Sequence, residues 1–200
     1  MIFPIQKICQ EAFKPLGETA AGEAEMTKYR RICILGNSGA GKSTLAAALG
    51  DVSGLPVVHL DRIFWKPGWI EAPEAEVCAA MTAAAENDAW IIDGNFKKTL
   101  PQRLEKADLV IYIDYNPIFC LWRVLWRMLR RKRRPDMADG CTERFNPEFY
   151  GYVLRFNRRT RPLLLEMIAR SAGNFDLAII RRRKDLAELM RNLQGRFDQK

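Results

Sequence analysis

Histidine is all but absent: 200 residues hold one, His59. The five cysteines, Cys9, Cys33, Cys78, Cys120 and Cys141, are odd in number and widely spaced, and no two stand in a C-x-x-C pair. A structural zinc site draws Cys and His ligands from close spacings, and a disulfide scaffold needs pairs, so the composition argues against both and for a reducing cytoplasm. Long apolar runs are missing as well. The most apolar stretch, residues 118–129, is broken by Arg123 and Arg127 and falls short of the ~20 residues that cross a bilayer. The beginning of the chain lacks the basic start, apolar core and small-residue cleavage site of a signal peptide, so no leader, no membrane span and no membrane partner are expected. There is no internal repeat, and no [NT]-K-x-D base-reading motif follows the later strand-like runs, which weakens a GTPase reading.

Acid is missing from residues 115–134, which carry seven basic side chains within a chain of net charge +8. A field of one sign calls for an anionic partner, the phosphates of a small substrate or of a nucleic acid. Residues 1–28 differ, with three lysines against four glutamates and a small, polar run at 17–25. They read as an N-terminal extension, loosely attached to a main domain of residues 29–200. That domain is long enough to bury well over half its surface, and 48% of the chain is hydrophobic.

The stretch that stands out is Gly36, Asn37, Ser38, Gly39, Ala40, Gly41, Lys42, Ser43 and Thr44, which fits the phosphate-binding pattern G-x-x-x-x-G-K-[ST]. The glycines allow a tight turn with inward N–H groups, Lys42 reaches terminal phosphates, and Ser43 offers a hydroxyl to Mg2+. Residues 31–35 read as an apolar strand before it and residues 45–49 as a helix after it, the context that the motif requires. The helix start adds a positive dipole.

Further strands are expected at 55–60, 90–94, 109–114 and 175–180, with helices at 74–87, from 117, at 147–172 with an interruption near Pro162, and at 184–193; residues 63–73 read as a loop. Strands alternating with helices give a parallel α/β sheet whose site lies at the carboxyl ends of the strands. Asp93 ends the third strand, where a carboxylate holds Mg2+ opposite Ser43. Asp61 and Arg62 close the second, placed to orient an acceptor hydroxyl and to clamp an anion. Trp65 and Trp69 could stack on an acceptor base or cover core. His59 reads as structural. In the basic helix Ile118, Leu121, Trp122, Leu125 and Leu129 recur at helical spacing, and Arg123, Arg127 and Arg131 share one face. Most of the arginines at 123, 127, 130, 131, 133 and 134 are expected on a solvated face, with Arg123 or Arg127 reaching the γ-phosphate.

Residues 36–44, the loop from His59 to Trp69, the run Trp90-Ile-Ile-Asp93-Gly-Asn-Phe96, and Arg134-Pro-Asp-Met137 with Gly140-Cys141 and Glu143-Arg-Phe145 together resemble the bacterial topology modulation proteins, which are adenylate-kinase-related P-loop proteins. The resemblance covers about residues 29–190. It implies a three-layer P-loop NTPase fold with a nucleoside-monophosphate-kinase-like core, a five-stranded parallel sheet in the order 2-3-1-4-5, and an Arg-rich lid at about residues 123–146. Where adenylate kinases have Asp-Gly-Phe-Pro-Arg, this chain has Asp93-Gly94-Asn95-Phe96-Lys97, so the acceptor-binding arginine has no counterpart and AMP is not the expected acceptor.

The expectation is an ATP- and Mg2+-dependent phosphotransferase that acts on a small-molecule acceptor such as a nucleotide or nucleoside. Lys42, Asp61, Arg123 and Arg127 are the catalytic candidates, and Asp61, Arg62 and Trp65 face the acceptor. The alternatives are an ATP-binding, nucleic-acid-interacting regulator of DNA topology, disfavoured because helix-face arginines without a recognition motif are weak evidence, and a P-loop ATPase whose acceptor is water.

Overall fold

The computed structural model describes residues 29–130, 136–138, 140, 141 and 145–197. The expected N-terminal extension, residues 1–28, lies outside the described residues, as do Arg131, Arg133, Arg134, Glu143 and Arg144 of the expected lid. The chain runs β1 (Arg31–Gly36), α1 (Lys42–Ser53), β2 (Val57–His59), α2 (Leu60–Phe64), β3 (Trp65–Lys66), β4 (Ile70–Glu71), α3 (Glu74–Glu86), β5 (Trp90–Asp93), α4 (Leu100–Lys106), β6 (Leu109–Ile113), α5 (Pro117–Arg130), α6 (Pro147–Arg159), α7 (Arg161–Arg170), β7 (Asp176–Ile180) and α8 (Arg183–Phe197).

Ile32, Cys33, Ile34 and Leu35 of β1 have no exposed surface. A strand that reads as one unbroken apolar run is covered on both faces, which is the signature of a parallel sheet between helical layers. The sheet order is β2-β5-β1-β6-β7 with every pairing parallel, which among these five strands is the expected 2-3-1-4-5. Alternate side chains feed two cores. Ile32 and Ile34 meet Leu45, Ala46 and Leu49 of α1 and Leu189 and Leu193 of α8. Cys33 and Leu35 meet Val77 and Met81 of α3, Leu100 and Leu104 of α4, and Leu164 and Ile168 of α7. No described helix is long and apolar enough to cross a membrane.

Two local differences from the sequence reading have physical causes, and one expected break is met. The second strand stops at His59, because buried Leu60 packs on Gly94 and opens α2. The stretch read as a loop folds into an antiparallel hairpin, Trp65 opposite Glu71 and Lys66 opposite Ile70, turned by Gly68 and by Trp69 at φ 64°. The interruption expected near Pro162 is present: residues 147–172 divide at Thr160 into α6 and α7, with Pro162 in the first turn of α7, where a missing N–H costs nothing.

α5 partitions its side chains in a way that helical spacing did not reveal. Cys120 and Val124 are buried, Arg123 and Arg127 are partly buried, and Ile118, Trp122, Trp126 and Leu129 are exposed. A Cβ on Gly39 would collide with Cys120 O and approach Val124 Cγ2 to 2.9 Å, so the helix packs backbone to backbone on the loop after β1. Only small side chains fit at such an approach, and the indoles are turned out.

Candidate active site

The loop from Gly36 to Gly41 is shaped by backbone that favours glycine. Gly36, Gly39 and Gly41 lie at φ 142°, 81° and 100°, and a Cβ on Gly36 would come within 2.5 Å of Ile113 O on the neighbouring strand. Gly41 caps α1, and the loop closes through Ala40 N–H to Asn37 O at 3.1 Å. Lys42 donates to Asn37 O at 3.1 Å, which holds its ammonium over the loop. Ser43 is half-buried in the first turn of α1, and Thr44 is exposed on the outside of it.

Three side chains tether this loop. Asn95 accepts from Gly36 N–H at 3.1 Å and donates to Gly36 O at 2.6 Å, so its amide acts as one more strand partner. Asn37, 1% exposed, donates to Val153 O of α6 at 2.9 Å. Arg123 donates to Ala40 O at 2.9 Å, and its guanidinium lies beside Gly41. Arg123 thus reaches the loop itself, while Arg127 sits one turn further along the same inward side of α5.

Asp93 is buried at the end of β5, opposite His59 in the β2–β5 register, and its Oδ1 is 3.0 Å from His59 Nδ1. The Asp93 carboxylate raises the His59 pKa above its ordinary value, first through the hydrogen bond and against the opposing effect of burial; Asp136 and Asp61 add to it through their charge. His59, Asp61, Asp93 and Asp136 therefore form one electrostatic neighbourhood at the carboxyl ends of β2 and β5. Asp61 is partly buried and Arg62 is exposed. Trp65 stands edge-on to Phe64 at 4.9 Å and to Trp69 at 5.4 Å, and Phe64 lies 6.2 Å from Phe96. These four rings make one aromatic cluster that joins α2 and the hairpin to Phe96, the residue after Asn95. Cys141 Sγ contacts Lys66 O at 3.3 Å, so residues 140 and 141 rest on the hairpin.

Arg103, Asn95 and Asp114 were missed by sequence reasoning. Arg103, with no exposed surface, donates to Gly94 O at 2.8 Å and Phe96 O at 2.9 Å and so fixes both neighbours of Asn95. Burial lowers its pKa, which the nearby Cys33 and Asp93 oppose. The one available signal was its place between Leu100 and Leu104 on the apolar side of a helix, where an arginine has to find partners. Asp114, just past β6, takes a two-pronged contact from Arg161 Nε and Nη2, both at 2.8 Å.

Among the described residues no group of three or more His, Cys, Asp or Glu is arranged to hold a metal ion. Mg2+ needs no such cage, since one or two protein oxygens together with substrate phosphates and water complete its shell. The Ser43 hydroxyl and the Asp93 carboxylate are hard oxygen donors of that kind and would be the residues to hold such an ion, and the loop amides with Lys42 and Arg123 would supply positive charge to a bound polyphosphate.

The chain matches no protein-family model and no curated protein. Solved structures similar to it include the shikimate kinase of Acinetobacter baumannii in complex with shikimate, at 16% identity and TM-score 0.51, covering 86% of this chain and 96% of that one. The shikimate kinase of Bacteroides thetaiotaomicron is similar at 16% identity and TM-score 0.50 over 84% and 97% of the two chains. A gluconokinase from Sinorhizobium meliloti aligns at 15% identity and TM-score 0.49 over 84% and 91%. At these identities the likeness concerns the architecture, and with the sheet order and the loop after β1 it gives the chain the fold of the P-loop kinases.

Proposed function

We propose that the chain is a cytoplasmic phosphotransferase that uses ATP and Mg2+ to phosphorylate a small hydroxyl-bearing acceptor, of which nucleosides and nucleotides are the first candidates. The observation that carries the reading is the convergence of Lys42 and Arg123 on one glycine loop, with Asp61, Asp93 and the Trp65–Trp69 cluster at the neighbouring strand ends. Bound MgATP supplies the transferable phosphoryl group. Lys42 and the loop amides bind the β- and γ-phosphates, and Ser43 and Asp93 are the metal's protein oxygens. Arg123, with Arg127 behind it, stabilises charge on the transferred group. Asp61 orients the acceptor hydroxyl and accepts its proton, while Arg62 and Trp65 hold the rest of the acceptor. The resemblance to the topology modulation proteins supports a kinase-like core for the same residues.

The test is ADP release in the presence of ATP and Mg2+ against a panel of nucleosides, nucleotides and small hydroxy compounds, with duplex DNA as a further arm. One class of small acceptor is expected to raise the rate. Stimulation by DNA alone would reverse the reading in favour of a nucleic-acid-dependent ATPase. Lys42→Ala should lower ADP release by at least about a hundredfold, while its thermal unfolding stays near the parent's, because Lys42 gives the fold one hydrogen bond. Full activity in that variant would remove the assignment of the loop.

A further inference from the structure

The outward face of α5 is the least expected surface of the molecule. Ile118, Trp122, Trp126 and Leu129 are 70%, 53%, 45% and 69% exposed and follow one another along a single line of the helix about 16 Å long. Their rings belong to a ladder: Phe119 stacks on Trp122 and Trp122 on Trp126, each at 6.1 Å, with planes 22° and 13° apart. Arginines cap both ends, Arg183 at 5.7 Å from Phe119 and Arg130 at 4.9 Å from Trp126. The polar side of the helix is engaged elsewhere, with Arg123 on the loop after β1.

We propose that this face is a docking surface for an anionic lipid bilayer. The helix lies in the headgroup layer, with Ile118, Trp122, Trp126 and Leu129 dipping into the acyl boundary and Arg130 and Arg183 meeting lipid phosphates. Indoles favour that interface because one edge is apolar and the N–H is polar, and arginine at the rim adds attraction to negative headgroups. Charge selects the occupant. The cations that flank the stripe are Arg130 and Arg183, and residues 115–134 contain no acid, so a two-fold contact between two copies of the stripe would bring arginines together with no carboxylate of the stripe to receive them. A nucleic acid would use the rings and the arginines, but Ile118 and Leu129, the most exposed of the four, have no counterpart on a base or a phosphate. A bilayer accepts all four apolar side chains and both cations. The absence of a spanning segment does not bear on this, since the contact is peripheral, and it stands whether or not the phosphotransferase reading holds.

The test is co-sedimentation of the full chain with phosphatidylcholine vesicles, with and without phosphatidylglycerol, at low salt. Binding should be at least about tenfold tighter to the anionic vesicles, weaken with added salt, and shift tryptophan emission to the blue. The double variant Trp122→Ser, Leu129→Ser should lose at least about tenfold of that binding while still unfolding cooperatively close to the parent, because both side chains are more than half exposed and Trp122 gives up only its ring stacking. Absence of vesicle binding by the parent, or equal binding by the double variant, overturns the proposal. So does self-association that the double variant abolishes, or oligonucleotide binding without vesicle binding.

Discussion

Asn95 offers the sharpest test of how the glycine loop is held. Its side-chain amide accepts from Gly36 N–H and donates to Gly36 O, and Gly36 is itself buried. Asn95→Ala leaves one N–H and one C=O of Gly36 without partners; at about 1–3 kcal/mol for each orphaned buried group, and with some relaxation, the loss comes to about 2–4 kcal/mol. For a domain of this size that is a fall of about 5–12 °C in Tm. On the proposed function ATP affinity should fall with it, because Gly36 begins the loop whose amides that reading assigns to the phosphates.

The companion Asn95→Asp separates the two bonds. Its ionised carboxylate still accepts from Gly36 N–H, but it turns a 2.6 Å donor contact into a repulsion between two oxygens. That repulsion, with Asp93 nearby, raises the introduced carboxyl's pKa in the folded state. A raised pKa means that the folded chain holds the proton more tightly, so stability is gained as pH falls through the folded value and lost as pH rises. In acid the protonated group donates to Gly36 O as the amide does. Thermal unfolding of the parent and both variants at mildly acidic and mildly basic pH, with ATP titration at each, decides the matter. If Asn95→Ala unfolds within about 1 °C of the parent, or if Asn95→Asp shows no recovery in acid relative to Asn95→Ala, the amide is not what holds Gly36.

Gly39→Ala places a Cβ at φ 81°, against Cys120 O and 2.9 Å from Val124 Cγ2; left-handed strain and a forced shift of α5 together predict a loss of about 2–4 kcal/mol. Arg123 should then let go of Ala40 O and ATP binding should weaken, whereas parent-like unfolding and affinity would show that the helix does not bear on the loop. At the opposite end of the sheet, Asp108 accepts from Arg30 and Arg31 N–H at 2.9–3.0 Å, and burial raises its pKa above the ordinary 3.8. Its contribution to stability is therefore full below that ordinary value and declines as pH rises through the folded one. Asp108→Asn keeps an acceptor without a charge, so its stability relative to the parent should improve from pH ~4 upward in urea unfolding; parallel curves for the two proteins would contradict the burial effect.

The sheet was legible because burial on both faces leaves a strand no polar positions, and the runs at Ile32–Leu35, Trp90–Ile92 and Leu109–Ile113 are of that kind. The glycine loop was legible because its conformation admits few other residues. The orientation of α5 was not. Its period marks an amphipathic helix but does not say which stripe faces in, and the usual inference that the large apolar side chains are buried fails here. The neighbour is a loop of glycines pressed close, where Cys120 and Val124 fit and Trp122 and Trp126 do not. Arg103 was hidden for a related reason. α4 is short, and an arginine among leucines is ordinarily a surface residue whose stem lies along the core, whereas here the Gly94 and Phe96 carbonyls, brought over it by the turn after β5, justify its burial.

The loop after β1 is held by contacts with elements far from it in sequence. Glycines at 36, 39 and 41 permit the phosphate-binding shape and also permit many others, so the motif alone carries a conformational entropy cost that something must offset. Asn95 grips the first residue of the loop from the turn after β5, Asn37 reaches from its second position to α6, and Arg123 grips its fifth from α5, over separations of 59, 116 and 83 residues. Each tether joins the loop to a different part of the fold, the turn after β5, α6 and α5, so the sheet and both helices contribute to its shape. The positive cradle is therefore a property of the folded domain rather than of the nine-residue motif. Arg123 joins two of its functions, since one guanidinium both supports the Ala40 carbonyl and brings positive charge beside Gly41. A shift of α5 would therefore alter the shape of the loop and the charge beside it together.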